Sequence, residues 1–499
     1  MPANTLDQFH RPPARRHRAA AWLVGLAGVA TALLLSAQHV ANAHPDGAPL
    51  AALLPTADPI APIAAPDPAA GRRFLLHGDY IGAGIPLPLW KQLAAAVPKP
   101  VRYLDRDGVD PSVPDDMNQY RTPRGVEVVS GVNCLGCHAS RFRGDLVIGM
   151  GNSLRDWSGA RNSYAPLKFL ASITYADGAP ERDVLREFIR GAEALDGTAF
   201  TPTRGLNPAF RFEEVAAAYR HPADLSWSEQ PLYDIPDAGV WSDVPPWWTL
   251  RKKLTLYYNG MGQGDFARLI QQIGVVMISD ARDAERTLPH MQDVIAYIKT
   301  LRPPAHPGPI DTALRDAGAE IFAARCADCH GTYSSSSHSA GVPAHETYPN
   351  KLIPIDEVGT DPVYAQRIQS SGIHGWFNRS WFAGQGAAYA DATLAYVAPP
   401  LDGVWCTAPY FHNGSVPTLE AVLNSRSRPQ RWRRSFDEFD YDTASPGWRF
   451  DAVPPTFIGP PSRLDYDTTH LGCGNQGHTY GDDLSDAERR AVIEYLKTL

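Results

Sequence analysis

Sulfur is scarce in this 499-residue chain, and its distribution excludes several chemistries. The six methionines are Met1, Met117, Met150, Met261, Met277 and Met291, so none follows residue 291 and no thioether ligand is available beyond it. Of six cysteines, four fall in two copies of one motif, and Cys406 and Cys473 stand alone. A zinc ribbon needs a second close Cys or His pair, which these two do not form. The formal charge of −8 argues against nucleic acid. The acidic surface suits solubility and docking of a basic electron donor. Little of the chain alternates apolar and polar residues with period two, so few strands are predicted.

What is present is C-x-x-C-H, twice: Cys134-Leu-Gly-Cys137-His138 and Cys326-Ala-Asp-Cys329-His330. This is the attachment signature of a c-type haem, whose vinyl groups take the two thiols and whose iron takes the imidazole. The reading is therefore two covalently bound haems, with His138 and His330 as proximal ligands.

The N-terminus fits that chemistry, because haem attachment outside the cytoplasm requires export. A basic run at Arg11, Arg15, Arg16 and Arg18 precedes an apolar stretch from Ala19 to Ala37 and Ala41-Asn-Ala43, a small-x-small cleavage site. Residues 1–43 are expected to be a signal peptide, with an uncleaved membrane anchor as the alternative, and the destination is periplasmic or secreted. Residues 44–70, mostly Ala and Pro, read as a flexible lead-in. In an oxidising compartment two spare thiols pair, so a Cys406–Cys473 disulfide is expected.

An internal repeat divides the remainder. Val294-Ile-Ala-Tyr-Ile-Lys-Thr-Leu301 and Val492-Ile-Glu-Tyr-Leu-Lys-Thr-Leu499 follow their haem motifs at nearly the same distance. Both carry a helical apolar face, and Ser485-x-x-Glu488 is a capping box for the second. Ahead of Cys326, Leu314, Ala317, Ile321 and Phe322 recur with helical spacing, and Ala317-Gly318-Ala319 permits close crossing by the C-terminal helix. The expected fold is mainly α: two cytochrome c domains with large loop-rich insertions, at 71–302 and 311–499, joined by a proline-rich linker at 303–310.

The second axial ligand decides between electron transfer and catalysis. For the haem at His330 the candidates are His338, His345, His374, His412, His470 and His478. His478 leads, because its Gly-rich loop lets the backbone approach a haem face, and His412 follows. For the haem at His138 the candidates are His77, His221, His290, Met150, Met261 and Met277; none stands out, which leaves room for an open iron.

Several further segments carry a resemblance. Pro245-Pro-Trp-Trp248, Tyr258 to Asp265, Tyr348-Pro-Asn350, Glu357 to Asp361, Pro399 to Trp405 and Ala408 to Leu419 together resemble the dihaem cytochrome c peroxidase superfamily, and within it the rubber-oxygenase-like cytochromes. The resemblance implies an accessible catalytic haem on His138 and a second haem on His330 and His478 that stores or relays electrons. It also implies that His412 lies near a haem rather than on its iron, and that Trp247 or Trp248 bridges the two haems; plain core packing is the other reading of that pair. The implied activity is a redox enzyme using peroxide or dioxygen on an unidentified organic substrate, with a small redox protein as electron partner. A pure electron-transfer cytochrome is the rival. The chain departs from the resemblance in being much shorter than a rubber oxygenase and in lacking a C-terminal Met.

Overall fold

Two helix pairs, one from each half of the chain, frame the molecule. In a computed structural model that describes residues 65–499 apart from 132, 158–163, 199, 238, 277, 279, 335–345 and 455–461, α1 (Pro68–His77) packs on α2 (Ala281–Thr300) and α3 (Thr312–Arg325) on α4 (Asp486–Leu496). The expected signal peptide and most of the lead-in lie outside the described residues.

Each pair crosses at a glycine. A Cβ on Gly318 would lie 1.9 Å from the Ala491 carbonyl oxygen, and one on Gly71 would lie 1.9 Å from that of Asp293. Backbone therefore meets backbone at both crossings, a closeness no larger residue permits. The close approach expected for Gly318 is present, and Gly71 is its counterpart in the first half. Local signals set the helix starts: Asp280 and Asp311 cap α2 and α3, and Ser485 and Glu488 close the capping box of α4.

The mainly-α expectation is corrected. The protein is 39% helical and 13% strand, a mixed α/β fold with several small sheets. Its strands run two to five residues, too short for a period-two pattern to emerge from the sequence. One sheet orders Ile85–Pro86, Glu127–Gly131 and Met117–Arg121; another joins Thr255–Leu256 and Gly262–Gly264 to Ala388–Ala390, from beyond the second haem motif.

The described residues belong to one compact unit, Ala57–Leu499. Its main apolar cluster draws Phe142, Met150 and Trp248 from the first half and Phe322, Trp405, Tyr441 and Val492 from the second. Residues 303–310 are held by the fold: His306 Nε2 bonds the Thr443 carbonyl at 2.8 Å, and Pro303 lies against Gly403, whose φ of 65° needs glycine. Among the described residues no helix is long and apolar enough to cross a membrane.

Candidate haem centres

Both C-x-x-C-H motifs fold as a single helical turn. His138 N donates to Cys134 O at 2.9 Å and His330 N to Cys326 O at 2.9 Å, so positions i, i+3 and i+4 share one face in each copy. Asn133 fixes the first turn, accepting from Leu135 N at 2.9 Å and donating to Asn118 Oδ1 at 2.8 Å. All six cysteines are free. Burial raises the Cys134 thiol to about 12 and those of Cys137 and Cys326 to about 11, so each remains protonated near neutral pH.

The second centre is the better defined. His330 Nδ1 donates to the Pro399 carbonyl at 2.9 Å, which leaves Nε2 as the nitrogen for a metal. Opposite stands His478, with ring centroids 6.3 Å apart. Two imidazoles on one metal require about this spacing, since each nitrogen sits ~2 Å from the ion and ~1 Å from its ring centre. Burial, helped by His330 and Arg428, pushes His478 down to about 4, and its Nδ1 is buried without a partner.

The loop carrying His478 is built for close approach. His478 has a left-handed φ of 44°, and a Cβ on Gly477 would lie 2.1 Å from the Gly359 carbonyl carbon. His478 N donates to Val358 O at 2.7 Å. Arg428 grips the loop from behind, donating to the carbonyls of Asn475, Gly477 and His478 at 2.8, 2.6 and 3.1 Å, and stacks over Phe411, whose ring lies 5.8 Å from His478. No feature near Arg428 in the sequence announces this role, because the three carbonyls of the His478 loop lie 47 to 50 residues away.

At the first centre, His138 stacks on Trp247 at 4.6 Å and 18°. Burial drives its imidazole down to about 3 against the opposing backbone of Pro245, yet Nδ1 closes no hydrogen bond of ordinary geometry. Among the described residues no histidine ring opposes it. His290 stacks on Phe74, Met150 and Met261 pack in apolar clusters, and Met277 lies outside the described residues. Trp248 is fully buried and donates to Asp402 O at 2.8 Å. The Trp pair thus runs from the His138 ring to the segment whose Pro399 holds His330.

Between the centres lies a buried ion cluster with no sequence signal. Arg251 and Lys252 reach Asp402 at 2.8 and 3.0 Å, and Lys252 also reaches Glu346 at 2.9 Å, all four side chains at most 5% exposed. Removing one partner from such a set costs roughly 3–5 kcal/mol. Tyr333 links it to the haem motif, lying under the Lys252 ammonium and donating to His330 O at 3.0 Å.

His412 does not face the His330–His478 gap. Its ring stacks on Tyr396 at 4.2 Å, with Tyr364 and Tyr258 at 5.8 and 6.2 Å, and burial lowers its imidazole to about 3. His470 is exposed, His374 touches neither ring, and His338 and His345 lie outside the described residues. The expected disulfide is absent: Cys406 Sγ donates to Gly403 O at 3.1 Å within the Trp405 cluster, while Cys473 packs with Leu206, Trp432 and Tyr466 in another. Apolar burial, which suits a thiol as a small hydrophobe, accounts for both residues without a bond.

Residues 395–433 match a family model described as RoxA-like, cytochrome c-like. That stretch holds Pro399, Asp402, Phe411, His412 and Arg428. A cytochrome c-like domain implies covalently bound haem. An uncharacterized protein of Sinorhizobium fredii (strain NBRC 101917 / NGR234), y4iJ, is 30% identical over 256 residues, 40% of this chain and 41% of that protein. A second uncharacterized protein of the same strain, y4iM, is 27% identical over 312 residues, 53% of this chain and 66% of that protein. The chain thus spans less than two thirds of either relative.

The residues present fit the cofactor on three counts: free thiols in helical turns, a proximal Nδ1 anchored on a carbonyl, and two imidazoles at ligand spacing.

Proposed function

We propose that the chain is an exported dihaem c-type cytochrome that works as a redox enzyme, using peroxide or dioxygen at the His138 centre and passing electrons through the His330–His478 centre. The observation that carries this reading is the asymmetry of the two centres. His330 faces a second imidazole at 6.3 Å, whereas His138 faces none among the described residues. When bound, haem iron supplies the electron transfer and oxidant chemistry itself.

The chain's residues supply position and surroundings. Pro399 and Arg428 hold the two imidazoles of the closed centre, one from the side and one through its loop. Trp247 stacks on His138 and its neighbour Trp248 donates to Asp402 O, three residues past Pro399, so the pair is suited to carry electrons between the centres. Burial keeps His138, His330 and His478 neutral, the form in which a histidine ligates.

A steady-state assay of the purified holoprotein with hydrogen peroxide and a reduced cytochrome donor, run beside oxygen uptake with unsaturated hydrocarbons, tests this. Turnover in either arm is expected. Absence of turnover in both, with reversible reduction of both haems intact, would favour a pure electron carrier.

A further inference from the structure

Arg251, which reaches the segment holding His330, is matched by the Asp402 carboxylate at 2.8 Å. Arg428, which reaches the loop holding His478, is not matched in this way. Its guanidinium donates five hydrogen bonds, all to backbone carbonyls. Two go to the helix Leu419–Leu423, at Ala421 (2.8 Å) and Val422 (3.1 Å), and three go to the His478 loop. Among the described residues it forms no ion pair. Asp482, the carboxylate whose charge acts on it, instead accepts from Ser425 N and Oγ at 2.7 and 2.6 Å.

The charge is close to the second centre and fixed there. Nη1 lies 2.6 Å from Gly477 O and Nη2 3.1 Å from the carbonyl of His478, the residue that faces His330. The guanidinium carbon sits 4.9 Å from the centre of the Phe411 ring, itself 5.8 Å from the His478 ring. An apolar ring against both leaves little water between them, and a charge so placed acts more strongly than it would in bulk water. Only the planar, five-donor fork of arginine serves so many carbonyls at once, so the cation is held in place as a lysine ammonium would not be.

We infer that Arg428 sets the potential of the second haem: its guanidinium, fixed behind His478 and matched by no carboxylate, favours the ferrous state of the iron between His330 and His478. This rests on the haem reading proposed above and deepens it. Adding an electron removes positive charge from the iron, so a neighbouring cation opposes the ferric form and raises the potential. Such a bias suits a centre that holds electrons for the His138 site. The bonds that grip the loop and the charge that biases the iron belong to one side chain, so the two effects are separated by experiment.

Peptide mass analysis of the wild-type holoprotein first locates covalent haem; none on Cys326 and Cys329 would remove the haem reading itself, whatever Arg428 does. Spectroelectrochemistry then compares Arg428→Gln, which lacks the charge, with Arg428→Lys, which keeps it. The same pair is made in a His478→Ala background saturated with imidazole, where ligation no longer depends on the loop. In both backgrounds Arg428→Gln should shift the His330 haem about tenfold toward the ferric form at fixed potential, ~59 mV lower for a one-electron couple. Arg428→Lys should stay within about threefold of its parent, and the more distant His138 haem within about twofold in every variant. If Arg428→Gln frees the iron of His478, the imidazole background decides. Three results would overturn the inference: a shift below about twofold in that background, an equal shift for Arg428→Lys, or an equal shift at both haems.

Discussion

Replacing His478 with Ala should turn the haem at His330 from low-spin to high-spin and let it bind added imidazole. The 6.3 Å separation of the two rings leaves His478 as the group facing His330, and no methionine follows residue 291 to take its place. Both haems should remain covalently attached, because the four motif cysteines do not depend on this loop. His412→Ala should leave that spectrum low-spin, since the His412 ring packs against Tyr396 instead. Optical and magnetic spectra of the two variants side by side decide the matter. A low-spin His478→Ala paired with a high-spin His412→Ala would reverse the assignment.

The second large effect is expected at the helix crossings. A valine at Gly318 places atoms 1.9 Å from the Ala491 carbonyl oxygen, and both helices would have to separate. Overpacking against backbone offers no rotamer escape, so a loss of about 3 kcal/mol or more is expected. Gly71→Val should behave likewise against Asp293. Gly375→Ala is the control: it lies within the helix Ile373–Arg379, and its Cβ would meet the Arg379 Nη1 at 3.5 Å and no other atom within 4 Å, so it should be neutral or slightly stabilising. Urea unfolding of the holoproteins measures all three. A Gly318→Val midpoint equal to wild type would contradict the crossing geometry.

These outcomes separate what residue order announces from what only the folded chain reveals. The haem motifs, the repeated terminal helices, the capping box and Gly318 are local patterns, each needing a few neighbouring residues to be read. The approach of His478 to His330 was legible because a glycine-rich loop before a helix signals close backbone approach. Arg428 was not, since its worth lies in three carbonyls on a distant loop. Nor were Arg251, Lys252, Glu346 and Asp402, ordinary surface residues by type whose burial depends on partners up to 151 residues apart. The strands escaped because they are too short for alternation to be distinguished. The disulfide expectation failed for a different reason: compartment sets whether thiols can pair, but Cα placement sets which do, and Cys406 and Cys473 belong to separate clusters.

The proposed asymmetry has one centre closed by two histidines and the other open. A titration of the oxidised holoprotein with cyanide and with imidazole, followed by electron paramagnetic resonance and with covalent haem counted by mass, addresses it directly. Two haems are predicted, one low-spin and indifferent to added ligand, the other binding it. Two low-spin haems that both ignore added ligand, or a single covalent haem, would contradict that asymmetry.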